Sequence, residues 1–154
     1  MSAPVVQLCS WTSAVRHAWH ASDADRTGST PIDATLLVVD DDARVRRLTV
    51  RMLRDEGYRV LEAGSGREAL GLLASEREVR LVVTDIVMPG MHGIELAEAI
   101  LALHPTRRVV LMSGYAPNLL DEFGLHESRF PLLMKPFTAE QLARQIRILL
   151  EPSH

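Results

Sequence analysis

Four consecutive residues without a polar side chain, Leu36-Leu37-Val38-Val39, stop abruptly at Asp40-Asp41-Asp42. A continuous apolar run of strand length needs cover on both faces, which is the situation of an interior strand in a parallel sheet. The same signal recurs along the chain, separated each time by a helical pattern. Val45, Leu48 and Met52 follow at spacings of three and four, Leu53 widens that stripe, and Gly57 is placed to end the helix. Tyr58 to Ala63 reads as a second strand, Arg67 to Ala74 as a second helix, and Leu81-Val82-Val83 as a third strand ending at Asp85. Met88-Pro89-Gly90 forces a turn, after which Ile94, Leu96, Ala97, Ile100 and Leu101 mark a third helix closed by His104-Pro105. Val109 to Met112 is a fourth strand, Leu119 to Phe123 a short weak helix, and Leu132-Leu133-Met134 a fifth strand. Thr138, with Gln141 at capping-box spacing, opens a last helix that carries Leu142, Ile146, Leu149 and Leu150 inward. Strict alternation of this kind predicts an α/β fold, a doubly wound parallel sheet with helices on both faces and right-handed crossovers. Ligands of such folds bind beyond the carboxyl ends of the strands.

A chain of 154 residues closes one core rather than two. Residues 1–33 lack either periodicity, are rich in Ser, Thr, Ala, Asp and His, and read as a flexible arm or linker. Trp11, Val15 and Trp19 give that arm one apolar side that a short docked helix could use, and His17 and His20 have no evident companion ligand. The expected domain is 34–151, with 152–154 as a tail. A formal net charge of -3, from 17 Lys+Arg against 20 Asp+Glu, provides no basic field for a polyanion, so no direct nucleic-acid partner is expected. Cys9 has no second cysteine to pair with, no apolar run reaches the ~18 residues of a membrane span, and no basic residue precedes Arg16 as a signal peptide would require. A cytoplasmic protein without a membrane partner is the expectation.

The chemistry gathers where the strands end. Asp40, Asp41 and Asp42 follow the first strand, Asp85 the third, Ser113 the fourth and Lys135 the fifth. Two like charges ~4 Å apart repel by about 4 kcal/mol at an effective dielectric near 20, so carboxylates sharing one crevice need a cation or a proton. Oxygen ligation suits Mg²⁺, or Mn²⁺, rather than zinc, for which no His/Cys cluster is at hand. Lys135 and Ser113 supply a mobile positive charge and a hydroxyl donor, as a transferred phosphoryl group requires around its oxygens. An aspartate can act as the nucleophile and form an acyl phosphate.

Four separated motifs carry a resemblance: Leu37-Val38-Val39-Asp40-Asp41, Val83-Thr84-Asp85-Ile86-Val87-Met88-Pro89-Gly90-Met91-His92-Gly93, Leu111-Met112-Ser113-Gly114-Tyr115 and Met134-Lys135-Pro136-Phe137. In that order, over roughly residues 34–150, they are similar to the response regulator receiver domain of bacterial two-component systems. The resemblance implies a flavodoxin-like five-stranded sheet of order 2-1-3-4-5, for which a member of this family serves as a standard example. It implies Asp85 as the phosphoacceptor, and Asp40 and Asp41 as the acidic pair that holds Mg²⁺ together with Asp85 and the backbone carbonyl of Val87. Ser113 falls on the hydroxyl residue that binds the phosphoryl group, and Lys135 on the invariant lysine, followed by a proline usually joined through a cis bond. Implied partners are a histidine kinase or histidine phosphotransfer protein, then a downstream protein target. With no output domain expected after residue 151, the signal leaves by protein contact, and a homodimer on phosphorylation is one form of it. The motifs around Ser113 and Lys135 are similar to receivers attached to hybrid sensor kinases. The chain is expected to be a phosphoacceptor rather than an enzyme, with slow self-dephosphorylation at most.

Two positions depart from the family pattern. Leu132 stands three residues before the lysine where an aromatic switch residue is frequent, and Val87 cannot hydrogen-bond a hydrolytic water with its side chain. Self-dephosphorylation is therefore expected to depend more on Tyr115 than on Val87. Competing readings are weaker. Gly64-Ser65-Gly66-Arg67-Glu68-Ala69 matches a dinucleotide-binding pattern but sets Glu68 close to the pyrophosphate and leaves the aspartates unexplained. A phosphatase of the haloacid dehalogenase type would use Asp40-Asp41-Asp42 as its D-x-D, yet Arg44 replaces the small Thr or Val expected two residues on and no acidic pair follows Lys135. A receiver-like module that binds partners unphosphorylated would not need the complete set of three acids, Ser113 and Lys135. Arg44, Arg46, Arg47, Arg51 and Arg54 make the first helix basic; a solvated face is the plain account, docking of a partner kinase the functional one.

Overall fold

The computed structural model describes residues 33–114 and 129–152. Five strands, β1 (Thr35–Val39), β2 (Arg59–Ala63), β3 (Val79–Asp85), β4 (Arg108–Ser113) and β5 (Leu132–Met134), form one sheet in the order β2-β1-β3-β4-β5. Every neighbouring pair is parallel. Among the described residues four helices connect or follow them: α1 (Ala43–Asp55), α2 (Gly66–Ser75), α3 (Gly93–Leu103) and α4 (Ala139–Leu150). The doubly wound sheet expected from the alternation and the flavodoxin-like strand order implied by the resemblance are both observed, and β3 begins two residues earlier than its apolar triplet implied.

Burial explains the continuous runs. Leu36, Leu37, Val38 and Val39 are all fully buried because successive side chains of β1 enter two different cores. Leu36 and Val38 pack with Val50 and Leu53 of α1 and Leu142, Ile146 and Leu149 of α4. Leu37 and Val39 pack on the other face with Ala69 and Leu73 of α2 and Leu96 and Ile100 of α3. Each such side chain contributes about 1.5–3 kcal/mol of burial free energy, so β1 anchors both layers.

Helix ends follow their local chemistry. Asp42 caps α1, its Oδ1 accepting from the amides of Arg44 at 2.8 Å and Val45 at 3.4 Å. Gly57, with φ +96°, takes the left-handed position that releases the chain into β2, as its placement after the helix predicted. Thr138 and Gln141 form the reciprocal capping box of α4.

The inward face of α1 differs from the expected stripe. Leu48 is 55% exposed, while Thr49, Val50 and Leu53 are buried. At about 100° per residue, a face centred on Thr49, Val50 and Leu53 carries Arg46 inward and turns Leu48 outward. Two polar residues made this face hard to see: Thr49 returns its hydroxyl to the Val45 carbonyl at 3.0 Å, and Arg46 reaches off the helix to neighbouring strands. No helix among the described residues is long and apolar enough to cross a membrane.

Candidate functional site

Strand register assembles the site. Val39 pairs with Thr84, Asp85 with Met112, and Ser113 with Met134, so the residues at or just past these pairs arrive side by side at one sheet edge. Asp40 follows Val39, Asp85 ends β3, Ser113 ends β4 and Lys135 follows β5. Backbone bonds extend the alignment beyond the strands: Asp40 N donates to the Ala63 carbonyl, Ile86 N to Met112 at 3.0 Å and Lys135 N to Ser113 at 2.7 Å. The Lys135–Pro136 peptide bond is cis.

Asp40 is 1% exposed. Its Oδ1 accepts from the Asp42 amide at 3.0 Å and its Oδ2 from Lys135 Nζ at 3.2 Å. Lys135 Nζ also lies 3.4 Å from Asp85 Oδ1. Burial pushes the Asp85 carboxyl above the usual carboxylate range; Lys135 opposes the rise and the charge of Asp40 adds to it. Asp42, at the helix end, is held below that range by the amides of Arg44 and Val45. The structure thus separates the three consecutive aspartates: Asp40 turns inward, and Asp42 caps the helix.

Oxygen atoms of Asp40, Asp41 and Asp85 lie within 4.8 Å of one another, the one group of three metal-ligating side chains found among the described residues. Octahedral Mg²⁺ with bonds of about 2.1 Å sets its donors roughly 3–4 Å apart, so this set fits with small side-chain rotations. Its chemistry fits as well, since three carboxylates face a single ammonium. Ser113 is buried at the same edge. Val87 packs its side chain on the core below α2 and α3, as does Leu132. Tyr115, the segment from Leu119 to Phe123, and the arm residues Trp11, Val15, His17, Trp19 and His20 lie outside the described residues.

Other contacts around the site were not anticipated. Arg46 Nη1 donates to the Asp40 carbonyl at 2.7 Å while its Nε faces Glu62 Oε2 at 3.3 Å, so this arginine clamps the end of β1 and is not part of a solvated face. Gly93 N donates to the Ile86 carbonyl at 2.8 Å, and a Cβ on Gly93 would collide with the Asp85 carbonyl. No sequence signal marks Arg46, because its closer acceptor is a backbone oxygen and Glu62 lies sixteen positions away on another element. Gly93 carries one, as the close of the motif that begins at Val83 and contains Asp85. The N-terminus of α2, where a dinucleotide would bind, is closed by its own residues: Ser65 Oγ accepts from Glu68 N at 3.2 Å and Glu68 Oε2 from Gly64 N at 2.8 Å.

Residues 36–147 match the family described as the response regulator receiver domain. The chain is 40% identical over 119 residues to the sensor kinase CckA of Brucella abortus (strain 2308), covering 77% of this chain and 13% of that one. It is 33% identical over 115 residues to the response regulator receiver protein CpdR of the same organism, covering 75% of this chain and 95% of CpdR. Among solved structures, the response regulator TrrA from Thermotoga maritima, crystallised in complex with Mg²⁺-BeF, superposes with a TM-score of 0.67 at 30% identity over 76% of this chain and 99% of TrrA.

Proposed function

The chain belongs to the response regulator receiver domain family, and from that premise we propose that Asp85 accepts a phosphoryl group from a histidine kinase or histidine phosphotransfer protein in a Mg²⁺-dependent reaction. The observation that carries this reading is the placement of Lys135 Nζ between Asp40 and Asp85, 3.2 and 3.4 Å away, at the end of the sheet where Ser113 is also buried. Residues 34–151 act as the receiver and 1–33 as an arm or linker, in a cytoplasmic protein.

An Asp85 carboxylate oxygen attacks phosphorus in line. The P–O bond forms as the P–N bond to the donor imidazole breaks, and the imidazole leaves with the electron pair and is protonated. Asp40, Asp41, Asp85 and the Val87 carbonyl would hold Mg²⁺, which would supply positive charge against the phosphoryl oxygens; the crystallisation of TrrA in complex with Mg²⁺-BeF supports that role. Lys135 then exchanges its contact with the Asp85 carboxylate for a phosphoryl oxygen, and the Ser113 hydroxyl donates to another. Those movements alter the surface around β4, β5 and α4, through which a target protein or a second copy reads the state. No turnover of a separate substrate is involved beyond slow loss of the phosphoryl group, on whose rate Tyr115 rather than Val87 acts by orienting water or shielding the acyl phosphate.

Incubation with acetyl phosphate and Mg²⁺, followed by intact mass measurement, tests the assignment. One phosphoryl group should be gained, and the gain should vanish in Asp85→Asn or with EDTA. Labelling retained by Asp85→Asn would refute it. Transfer from a panel of purified histidine kinases identifies the donor, and comparison of phosphoprotein lifetimes in Tyr115→Ala and Val87→Ala tests the water assignment.

A further inference from the structure

The loop from Ile86 to His92 runs directly out of Asp85, and two glycines fix it. At its base, Gly93 lies against the Asp85 carbonyl and donates its amide to Ile86. At the other side, Met91 is seated in a notch left by Gly66, the buried first residue of α2. A Cβ on Gly66 would stand 2.8 Å from Met91 Sδ and 3.0 Å from both its Cβ and its Cγ. Thioether ends swing aside easily, but a clash reaching the Met91 Cβ cannot be relieved without moving the loop backbone. Gly66 is not needed for helix formation, because alanine is the better helix former by about 1 kcal/mol at an interior position. Nor does Gly66 have a positive φ that would call for glycine. The absent side chain serves the space that Met91 fills.

The geometry points to Met91 in the Gly66 notch as a positioning latch, which holds the 86–92 loop in the conformation that receives the divalent cation beside Asp85. This inference rests on the proposed Mg²⁺ role of Asp40, Asp41, Asp85 and Val87. It adds that the affinity for the cation is set partly by a contact that touches neither the cation nor any of its ligand atoms. The latch joins the loop to α2, whose own start is held by Ser65 and Glu68.

Calorimetric titration with MgCl₂ and amide hydrogen exchange of the metal-free protein test it together. Gly66→Ala should weaken Mg²⁺ binding by about tenfold and speed exchange at the Gly93 amide. Adding Met91→Ala to Gly66→Ala should restore neither, since alanine at position 91 keeps the Cβ that stands 3.0 Å from the new methyl, whereas Met91→Leu alone, which conserves volume, should retain binding. At saturating Mg²⁺ the rate of labelling by acetyl phosphate should return to that of the unaltered protein, placing the defect in cation affinity. Should Gly66→Ala not fold, Met91→Ala alone is expected to show the same two losses. Unchanged Mg²⁺ affinity in whichever variant folds would overturn the latch. Failure of the unaltered protein to bind Mg²⁺ would overturn the proposed function, and unchanged Gly93 exchange in the metal-free variants would overturn the latch independently.

Discussion

Lys135 Nζ and Asp40 Oδ2 meet at 3.2 Å across 95 positions of sequence. Asp40 is almost wholly buried and Lys135 is one-fifth exposed, so the pair lies where an unpartnered charge is costly. Lys135→Met should destabilise the metal-free protein by about 3 kcal/mol. Saturating MgCl₂ should recover much of that loss by replacing the missing positive charge. Urea denaturation of both proteins with and without Mg²⁺ checks this; an equal increment from Mg²⁺ in the two would contradict it.

Asp85 should govern part of the pH dependence. Burial raises its carboxyl above the ordinary value against the pull of Lys135, so the folded state binds its proton more tightly than the unfolded chain does. That contribution to stability is fully present below the unfolded pKa and is lost as pH rises through the higher folded pKa. Asp85→Asn, which cannot ionise, should therefore raise Tm of the metal-free protein near neutral pH. The difference should shrink as the pH falls into the carboxylate range. Thermal melts across that range read the slope; a constant difference would exclude Asp85 as its source.

Arg46 binds the Asp40 carbonyl more closely than it binds Glu62. Its removal in Arg46→Ala should cost about 1–2 kcal/mol, and most of the loss should persist at high salt, where exposed ion pairs fade. Lysine should be a poor replacement, because one ammonium cannot reproduce the two directions of the guanidinium fork. Denaturation at low and high NaCl distinguishes the accounts: a loss confined to low salt would assign the effect to Glu62 alone.

Arg107 is buried and donates to the Leu73 carbonyl at 3.0 Å and the Glu76 carbonyl at 2.9 Å, closing the end of α2 from the loop before β4. Arg107→Ala should destabilise by about 2–3 kcal/mol, since charge-assisted bonds to buried carbonyls are lost. Faster hydrogen exchange in the last turn of α2 would locate the damage.

Which features were legible in the sequence follows from how local their causes are. The strands of the interior announced themselves because cover on two faces requires unbroken apolar runs, as at Leu36 to Val39. The same order of elements placed Asp40, Asp85, Ser113 and Lys135 at one edge, since a residue ending a parallel strand has only one edge to reach. Capping by Asp42 and by Thr138 with Gln141 was equally local. Leu48 misled because hydrophobic spacing alone cannot tell that Arg46 and Thr49 satisfy their polar groups within the buried sector. Arg107 and Arg46 were opaque for a related reason: a guanidinium donating to backbone carbonyls leaves no partner residue type to search for. Gly66 and Met91 meet only through packing of a loop on a helix, a relation that periodicity does not encode.

The three-residue strand that delivers Lys135 lies at the outer edge of the sheet and pairs with β4 alone, whereas the strands leading to Asp40 and Asp85 are each paired on both sides. The anionic half of the crevice is thus built into stiff material and the cationic half into compliant material. On that pairing alone, a load applied at Asp85 is expected to displace β5 and its flanks more than β1 and β3, which would serve as the fixed mount. The fold would then work as a lever with its fulcrum in the central strands and its free arm at one margin of the sheet.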